Sequence, residues 1–388
     1  MRHLIAIVLF LNFSFLYAQK LNIAVFFKQK ISSCVVSVYL GKYKVFADTI
    51  PIATLSINET WSLIYTNDSI EIRNIAGKFG TFKKLRFEGV EISNVLKYKP
   101  TIPSFNQRYY DDDMEIKAEN NSLIFHNFVD MEDYVCGVVE SESGYQPTIE
   151  FYKTQAILSR TFALENIGKH YTEGFHLCDG VHCQAYKGKN YSLSYHSIIS
   201  QAVYDTKDMV IVDSAGNVIT ATFHANCGGQ TMNSEDVWGS SKYYLRSVND
   251  PYCQYQRNTA WERKISIADF KKFLYSNKIS VDDLIAEDFN FSQTKREAFY
   301  NIKNDNLSLR KIRDNFNLKS TFFSVKSDGD SLIFTGKGFG HGVGLCQDGA
   351  IQMAKKGLSY SDIISFYYKG VQIVSYKSLP FYQSILGE

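Results

Sequence analysis

The chain has 388 residues, 45% hydrophobic, 15% aromatic and 21% charged, with a formal net charge of +2. That composition excludes a disordered chain and supplies enough apolar material for one large core or two smaller ones. No basic block stands out, so nothing points to nucleic acid or an anionic membrane surface as a partner.

The opening "MRHLIAIVLFLNFSFLYAQK" has a short basic start, an apolar run from Leu4 to Leu16, and a small residue, Ala18, before Gln19. The run is shorter than the ~20 apolar residues a spanning helix needs. It therefore reads as a signal peptide over 1–18. No later stretch is apolar enough to span a bilayer. The expected product is exported, periplasmic or cell-wall associated, with no transmembrane segment after signal cleavage. Such a protein can form disulfides. The seven cysteines leave at least one thiol unpaired in a monomer.

Residues 19–100 alternate short Val/Ile/Phe/Tyr-rich runs with Gly, Asn and Asp, as in "CVVSVYL" and "KLRFEGVEI". That spacing predicts a small β-rich module. "YKPTIPSFNQRYYDDD", 98–113, carries two prolines and an acidic run and reads as a linker. "MEIKAENNSLIFHNFVD" predicts a hairpin across "ENNS". The first strong helix is expected over about 149–169, with Thr148 as N-cap, and a second over 193–204. "MVIVDSAGNVITATFHA" predicts a hairpin turning at 215–217, and "SIADFKKFLYSNK" a helix. "FFSVKSDGDSLIFTGKG" reads as another hairpin, and the segment after it as two helices broken at Gly357. Residues 101–388 thus mix strands and helices without βαβ order, which makes the fold class α+β.

Four stretches carry candidate chemistry. "GVVESES", 137–143, holds Glu140 and Glu142, and the helix after it carries Arg160 among apolar or small neighbours. Such an arginine needs a carboxylate or a ligand as partner. "HLCDGVHCQAY" packs His176, Cys178, His182 and Cys183 within eight residues, with His170 upstream. That density suits a tetrahedral zinc, and equally a short Cys178–Cys183 disulfide. "FHANCGGQTMNSEDVWG" offers His224 and an aromatic face, Trp238, suited to a sugar. Cys227 and Cys253 are the preferred longer-range disulfide. "GKGFGHGVGLCQDGA" sets His341 between glycines that allow close backbone approach, and it lacks the Gly-Lys-Ser/Thr of a phosphate loop.

Together "MEDYVCGVVESES", "KTQAILSRTFAL", "HCQAYKG", "ATFHANCGGQT" with "DVWG", and the segment from "GKGFGHGVGLCQDGA" to "FYYKG" resemble the stage II sporulation protein D, or amidase-enhancer, family. The resemblance runs from about Val129 to Ile373. It implies a bacterial peptidoglycan lytic transglycosylase acting on glycan strands that lack stem peptides. The family's catalytic glutamate falls five residues after the motif glycine, which makes it Glu142 here. Ser143 replaces the usual Met beside it. The helix arginine maps to Arg160 and the Gly-His-Gly histidine to His341. With His224 and Gln347 these are the expected substrate contacts. Some family members bind zinc at the segment matching Cys178, His182, Cys183 and His176. The chemistry itself requires no cofactor. On this reading Glu140 faces solvent. The alternative is a non-catalytic glycan-binding enhancer of an N-acetylmuramoyl-L-alanine amidase. A zinc hydrolase centred on 170–183 is a third reading, and no nearby Glu has the spacing of a zinc general base.

Overall fold

The computed structural model describes residues 20–146, 148–254 and 259–380. The expected signal peptide lies outside the described residues. Among those residues no helix is long and apolar enough to cross a membrane.

The protein is α+β, with a β-rich N-terminal region. One seven-stranded sheet has the spatial order Leu177–Cys178, Leu21–Val25, Ser122–Val129, Asp113–Glu119, Lys84–Gly89, Tyr43–Ala47 and Ile50–Leu55. A six-stranded sheet is built from Arg108–Asp111, Val95–Ile102, Ser33–Leu40, Thr60–Thr66, Ser69–Asn74 and Gly77–Phe82. Alternating burial along Ser122–Val129 and Ser69–Asn74 reflects the period-two pattern of half-buried strands. Both sheets cross the boundary the sequence suggests at residue 100. The first strand pairs Leu21 with Val129 through Val25 with Phe125. One continuous core holds Ile23, Val36 and Phe87 together with Val138, Ile157 and Leu345.

The 98–113 segment is not a linker. Its residues form an antiparallel pair, Tyr98 against Arg108, at the edge of the six-stranded sheet. The buried rings of Tyr98 and Tyr110 anchor that pair, and apolar burial outweighs the turn-forming prolines.

Eight α-helices follow among the described residues: α1 (Met131–Ser143), α2 (Ile149–Glu165), α3 (His196–Asp205), α4 (Ser234–Trp238), α5 (Ile267–Ser276), α6 (Leu309–Phe316), α7 (Gln347–Lys355) and α8 (Tyr360–Tyr367). Helix α1 is an addition to the sequence reading. Asp130 caps it by accepting from the Glu132 N–H at 2.8 Å, and Glu132 and Asp133 occupy its positive end. It stops at Gly144. Thr148 sits at the N-cap of α2 but makes no capping bond. The hairpin turn at Asn120–Asn121 has both residues left-handed, as a two-residue loop demands. Residues 260–337 enclose a second core of their own around Phe270, Tyr300 and Phe334, built on a three-stranded sheet.

Candidate active site

Helical geometry turns about 100° per residue, so Glu140 and Glu142 leave α1 on opposite flanks. Glu140 does not face solvent. It is only 8% exposed and accepts from the Asn190 N–H at 2.7 Å and from His196 Nδ1 at the start of α3. Its carboxylate is committed to joining α1, α3 and the 187–195 loop.

Glu142 is half-buried. One of its oxygens accepts from the Ala185 N–H at 2.9 Å. Burial pushes its carboxyl above the usual range, while the Ala185 hydrogen bond and the Lys187 charge pull less strongly the other way. The polar atoms next to this arrangement are not all spent. Gln184 accepts from the Tyr134 hydroxyl through Oε1, but its Nε2 has no partner among the described residues, and neither has Ser143 Oγ.

The loop that supplies Ala185 is held at several points. Asp179 accepts from the Phe26 and Phe27 N–H groups at 2.8 and 3.0 Å and from Arg108 at 2.7 Å. Gly188 runs against Tyr109 with φ +71°, and a Cβ there would lie 1.8 Å from the Tyr109 carbonyl oxygen. Gly188→Ala combines a left-handed backbone with that clash, so it should lower unfolding free energy by at least about 1–3 kcal/mol, read as a lower melting temperature.

A cavity of about 470 Å³ lies beside the end of α1, with Ser141, Lys187, Lys189, Tyr109 and Tyr195 in its wall. Glu140 is also in that wall and Glu142 is not; Glu142 is tied to the cavity through Lys187, whose charge acts on it. Tyr145, 67% exposed, meets Tyr195 edge-on at 5.9 Å and extends the aromatic rim. A larger cavity of about 620 Å³ is formed by 24–30, 117–126 and 173–175, and contains no residue singled out from the sequence.

Arg160 is not a substrate contact. It is fully buried and makes a two-pronged ion pair with Glu132, Nε to Oε1 at 3.0 Å and Nη2 to Oε2 at 2.5 Å. It also donates to the carbonyls of Met209 (2.9 Å) and Val203 (3.3 Å). The charge on α2 needed a partner, and α1 supplies it.

The two histidines of the C-terminal half come together, with ring centroids 5.3 Å apart. His341 is not the free polar group the glycines suggested. Its Nε2–H donates to the Phe223 carbonyl at 2.9 Å and its Nδ1 accepts from the Val343 N–H at 3.1 Å. That pairing defines a neutral tautomer. Burial pushes its pKa down to about 4. Both nitrogens clip one backbone segment to another, and only the ring remains to face Trp238, 5.3 Å away. His224 Nδ1 donates to the Val343 carbonyl at 3.1 Å, and its buried Nε2 has no partner among the described residues. Gln347 reaches Gln155 of α2 at 3.4 Å. None of the described hydrogen bonds, ion pairs or ring contacts joins His224, His341 or Gln347 directly to Glu142.

At the thiol-rich segment the fourth partner is His170, not His176. The ligand atoms of His170, Cys178, His182 and Cys183 all lie within 4.8 Å of one another. His176 is excluded because its Nδ1 accepts from the Asn22 N–H at 3.0 Å. Glu173 holds His170 Nδ1 at 2.5 Å, which turns Nε2 toward Cys183 Sγ at 3.4 Å. A carboxylate behind a histidine is the usual outer support of a metal ligand, and two thiols with two imidazoles suit a tetrahedral zinc. Cys178 and Cys183 are unbonded. So are Cys227 and Cys253, whose Sγ atoms approach to 3.3 Å.

The backbone N–H of Ala185, the charge of Lys187 and the rings of Tyr145 and Tyr195 escaped the sequence reading. A backbone donor has no residue signature. "HCQAYKG" marked the right segment without showing which atom mattered.

A family described as Stage II sporulation protein matches residues 119–212, which include Glu142, the thiol-rich tetrad and Ala185. An uncharacterized protein of Brachyspira hyodysenteriae is 33% identical over 302 residues, 74% of this chain and 80% of that one. Stage II sporulation protein D of Bacillus amyloliquefaciens is 31% identical over 258 residues, 63% of this chain and 74% of that one. The amidase enhancer of Bacillus subtilis is 28% identical over 293 residues, covering 62% of this chain and 40% of its own length.

Proposed function

The chain belongs to the stage II sporulation protein D family, and from that premise we propose that it is an exported peptidoglycan lytic transglycosylase with Glu142 as its acid. The coarser statement, a role in the cell wall, follows from the family and from the names of its relatives. The observation that carries the finer one is the contrast between two carboxylates. Glu142 is half-buried with a raised pKa and one free oxygen edge, while Glu140, although in the cavity wall, has both oxygens taken by Asn190 and His196.

Hydrolytic glycosidases need two carboxylates. One suffices when the nucleophile is the C6 hydroxyl of the reacting N-acetylmuramic acid itself. Tethering removes the cost of a bimolecular encounter, up to ~7–11 kcal/mol when the geometry is right. Burial keeps Glu142 protonated to higher pH than an ordinary carboxyl, which favours a donor. The oxygen held by Ala185 fixes the group, and the other gives its proton to the glycosidic oxygen. The C1–O bond breaks, the departing sugar keeps that proton, and the C6 oxygen bonds to C1. Glu142 then takes the C6 hydroxyl proton and is regenerated, with no water consumed. A glycan lying in the cavity beside Lys187 would use Tyr195 and Tyr145 as stacking faces.

A zinc at His170, Cys178, His182 and Cys183 would be structural on this reading. It would hold the loop two residues ahead of Ala185 and take no part in the proton transfers.

The test is product analysis. Purified protein incubated with peptide-free glycan should release fragments with 1,6-anhydro ends, lighter by one water than hydrolytic products in mass spectrometry. Glycan binding with no cleavage would replace the enzyme by the amidase-enhancer reading.

A further inference from the structure

A second group of ligand-bearing side chains shares no residue with the acid or with the His170–Cys183 tetrad. The Sγ atoms of Cys227, Cys253 and Cys346 and a carboxylate oxygen of Asp250 all lie within 4.8 Å of one another. We propose that Cys227, Asp250, Cys253 and Cys346 form a second metal centre, which takes one tetrahedral zinc-type ion through three thiolates and one carboxylate oxygen.

The spacing suits the ion. Thiolates about 2.3 Å from a tetrahedral metal stand about 3.8 Å from each other. Here Cys227 Sγ is 3.3 Å from Cys253 Sγ and 3.2 Å from Asp250 Oδ2. The four residues come from three separate places: the loop after Phe223–His224, the turn at 250–253, and the N-cap of α7. Nothing local in the sequence would bring them together.

The surroundings are built for negative sulfur. Backbone N–H groups point at two of the three sulfurs: Cys227 N at Cys346 Sγ (3.2 Å), Gly349 N at the same atom (3.4 Å), and Gly229 N at Cys253 Sγ (3.2 Å). The half-buried guanidinium of Arg296 donates to the Cys227 carbonyl at 2.7 Å, which places a positive charge at the edge of the cluster. Asp250 is positioned as a ligand is, through partners behind it. The Tyr367 hydroxyl donates to Oδ2 at 2.8 Å and the Tyr252 N–H to Oδ1 at 2.9 Å. Gly349 makes room, since a Cβ there would fall 2.4 Å from Asp250 Oδ2.

What the cluster lacks is positive charge at its centre. Asp250 and the three cysteines are each 0% exposed. The partners of Asp250 among the described residues are a hydroxyl, an N–H and a thiol, and none is cationic. A carboxyl buried without a counter-charge is costly, and a divalent ion among the four groups removes that cost. A Cys227–Cys253 disulfide would use only two of them. It would leave the Cys346 thiol and the Asp250 carboxylate buried together. The ion would also fasten the start of α7, where Gln347 follows Cys346, to the loop that follows His224.

The experiment is a metal count on the full chain, purified without chelator. Native mass spectrometry of the wild type should show two zinc ions per chain. The Cys178→Ser/Cys183→Ser chain should retain one. The Cys253→Ser/Cys346→Ser chain should lose one while keeping the other. A wild-type count of one, with that ion lost in Cys178→Ser/Cys183→Ser, overturns the proposal. So does peptide mapping of the unreduced wild type that finds a disulfide among Cys227, Cys253 and Cys346. Should the serine variants fail to fold, the wild type still decides. Replacing zinc by Co²⁺ should give sulfur-to-cobalt absorption corresponding to five thiolates, and a signal corresponding to two would sink the second centre.

Discussion

Glu142→Gln should cut the release of anhydro products from peptide-free glycan by at least the ~10²–10⁴-fold that a general acid contributes. Because no second carboxylate shares the work in the proposed reaction, the residual rate should approach background. The substituted amide can still accept from the Ala185 N–H through its own oxygen, so the local geometry survives. Stability provides the control. Burial holds the proton on Glu142 more tightly in the folded than in the unfolded chain. Ionising it therefore costs stability as pH rises from the unfolded toward the folded pKa, and the cost persists above that. Gln carries no such charge. The variant should be at least as stable as wild type at neutral pH and no different well below the ordinary carboxyl range. Wild-type activity should fall as pH rises through the raised pKa, because the protonated form is the donor. A Gln variant that keeps its product yield would remove Glu142 from the chemistry. Glu140→Gln should behave oppositely. It weakens the ties to His196 and Asn190, and so lowers the melting temperature while sparing the reaction per folded molecule.

Arg160→Met is expected to cost about 3–5 kcal/mol of stability, because it leaves Glu132 charged, buried and unpaired. The loss should appear as a lower denaturation midpoint. Adding Glu132→Leu should restore much of it, since a fully apolar pair no longer buries a charge. Restoration should stop short of wild type. The Met209 carbonyl loses its Arg160 donor in both variants, the Asp208 N–H loses its Glu132 acceptor in the double variant, and a buried polar group left unpaired costs about 1–3 kcal/mol. A substrate-binding role for Arg160 predicts a different result: intact folding with a raised KM. Its complete burial at the junction of α1, α2 and α3 argues for the stability effect.

Features decided within a few residues were legible in order along the chain. The hairpin at Asn120–Asn121, helix α5 and the break between α7 and α8 at Gly357 all follow from local sequence preference. Helix α1 escaped although its signals were present, an aspartate cap and two acids in the first turn. Its glycine and β-branched valines masked them. The 98–113 segment misled for the opposite reason. Its prolines and acids signal a turn, yet two tyrosines gain more by burial in the sheet.

The candidate site divides the same way. The candidate acid came from the resemblance, which places the family's glutamate at Glu142, five residues after Gly137. Which of the two glutamates keeps an oxygen free, and how Arg160, His176 and His341 are engaged, depended on groups far apart in sequence. Glu140 is claimed by His196, Arg160 by Glu132, His176 by Asn22 and His341 by Phe223. The sequence by itself determined the α+β class, the family and the residues capable of chemistry, because these rest on local propensity and residue type. Only the tertiary structure decided which of those residues remain available, because a polar group's role is set by its long-range partners and by how much water it loses on burial.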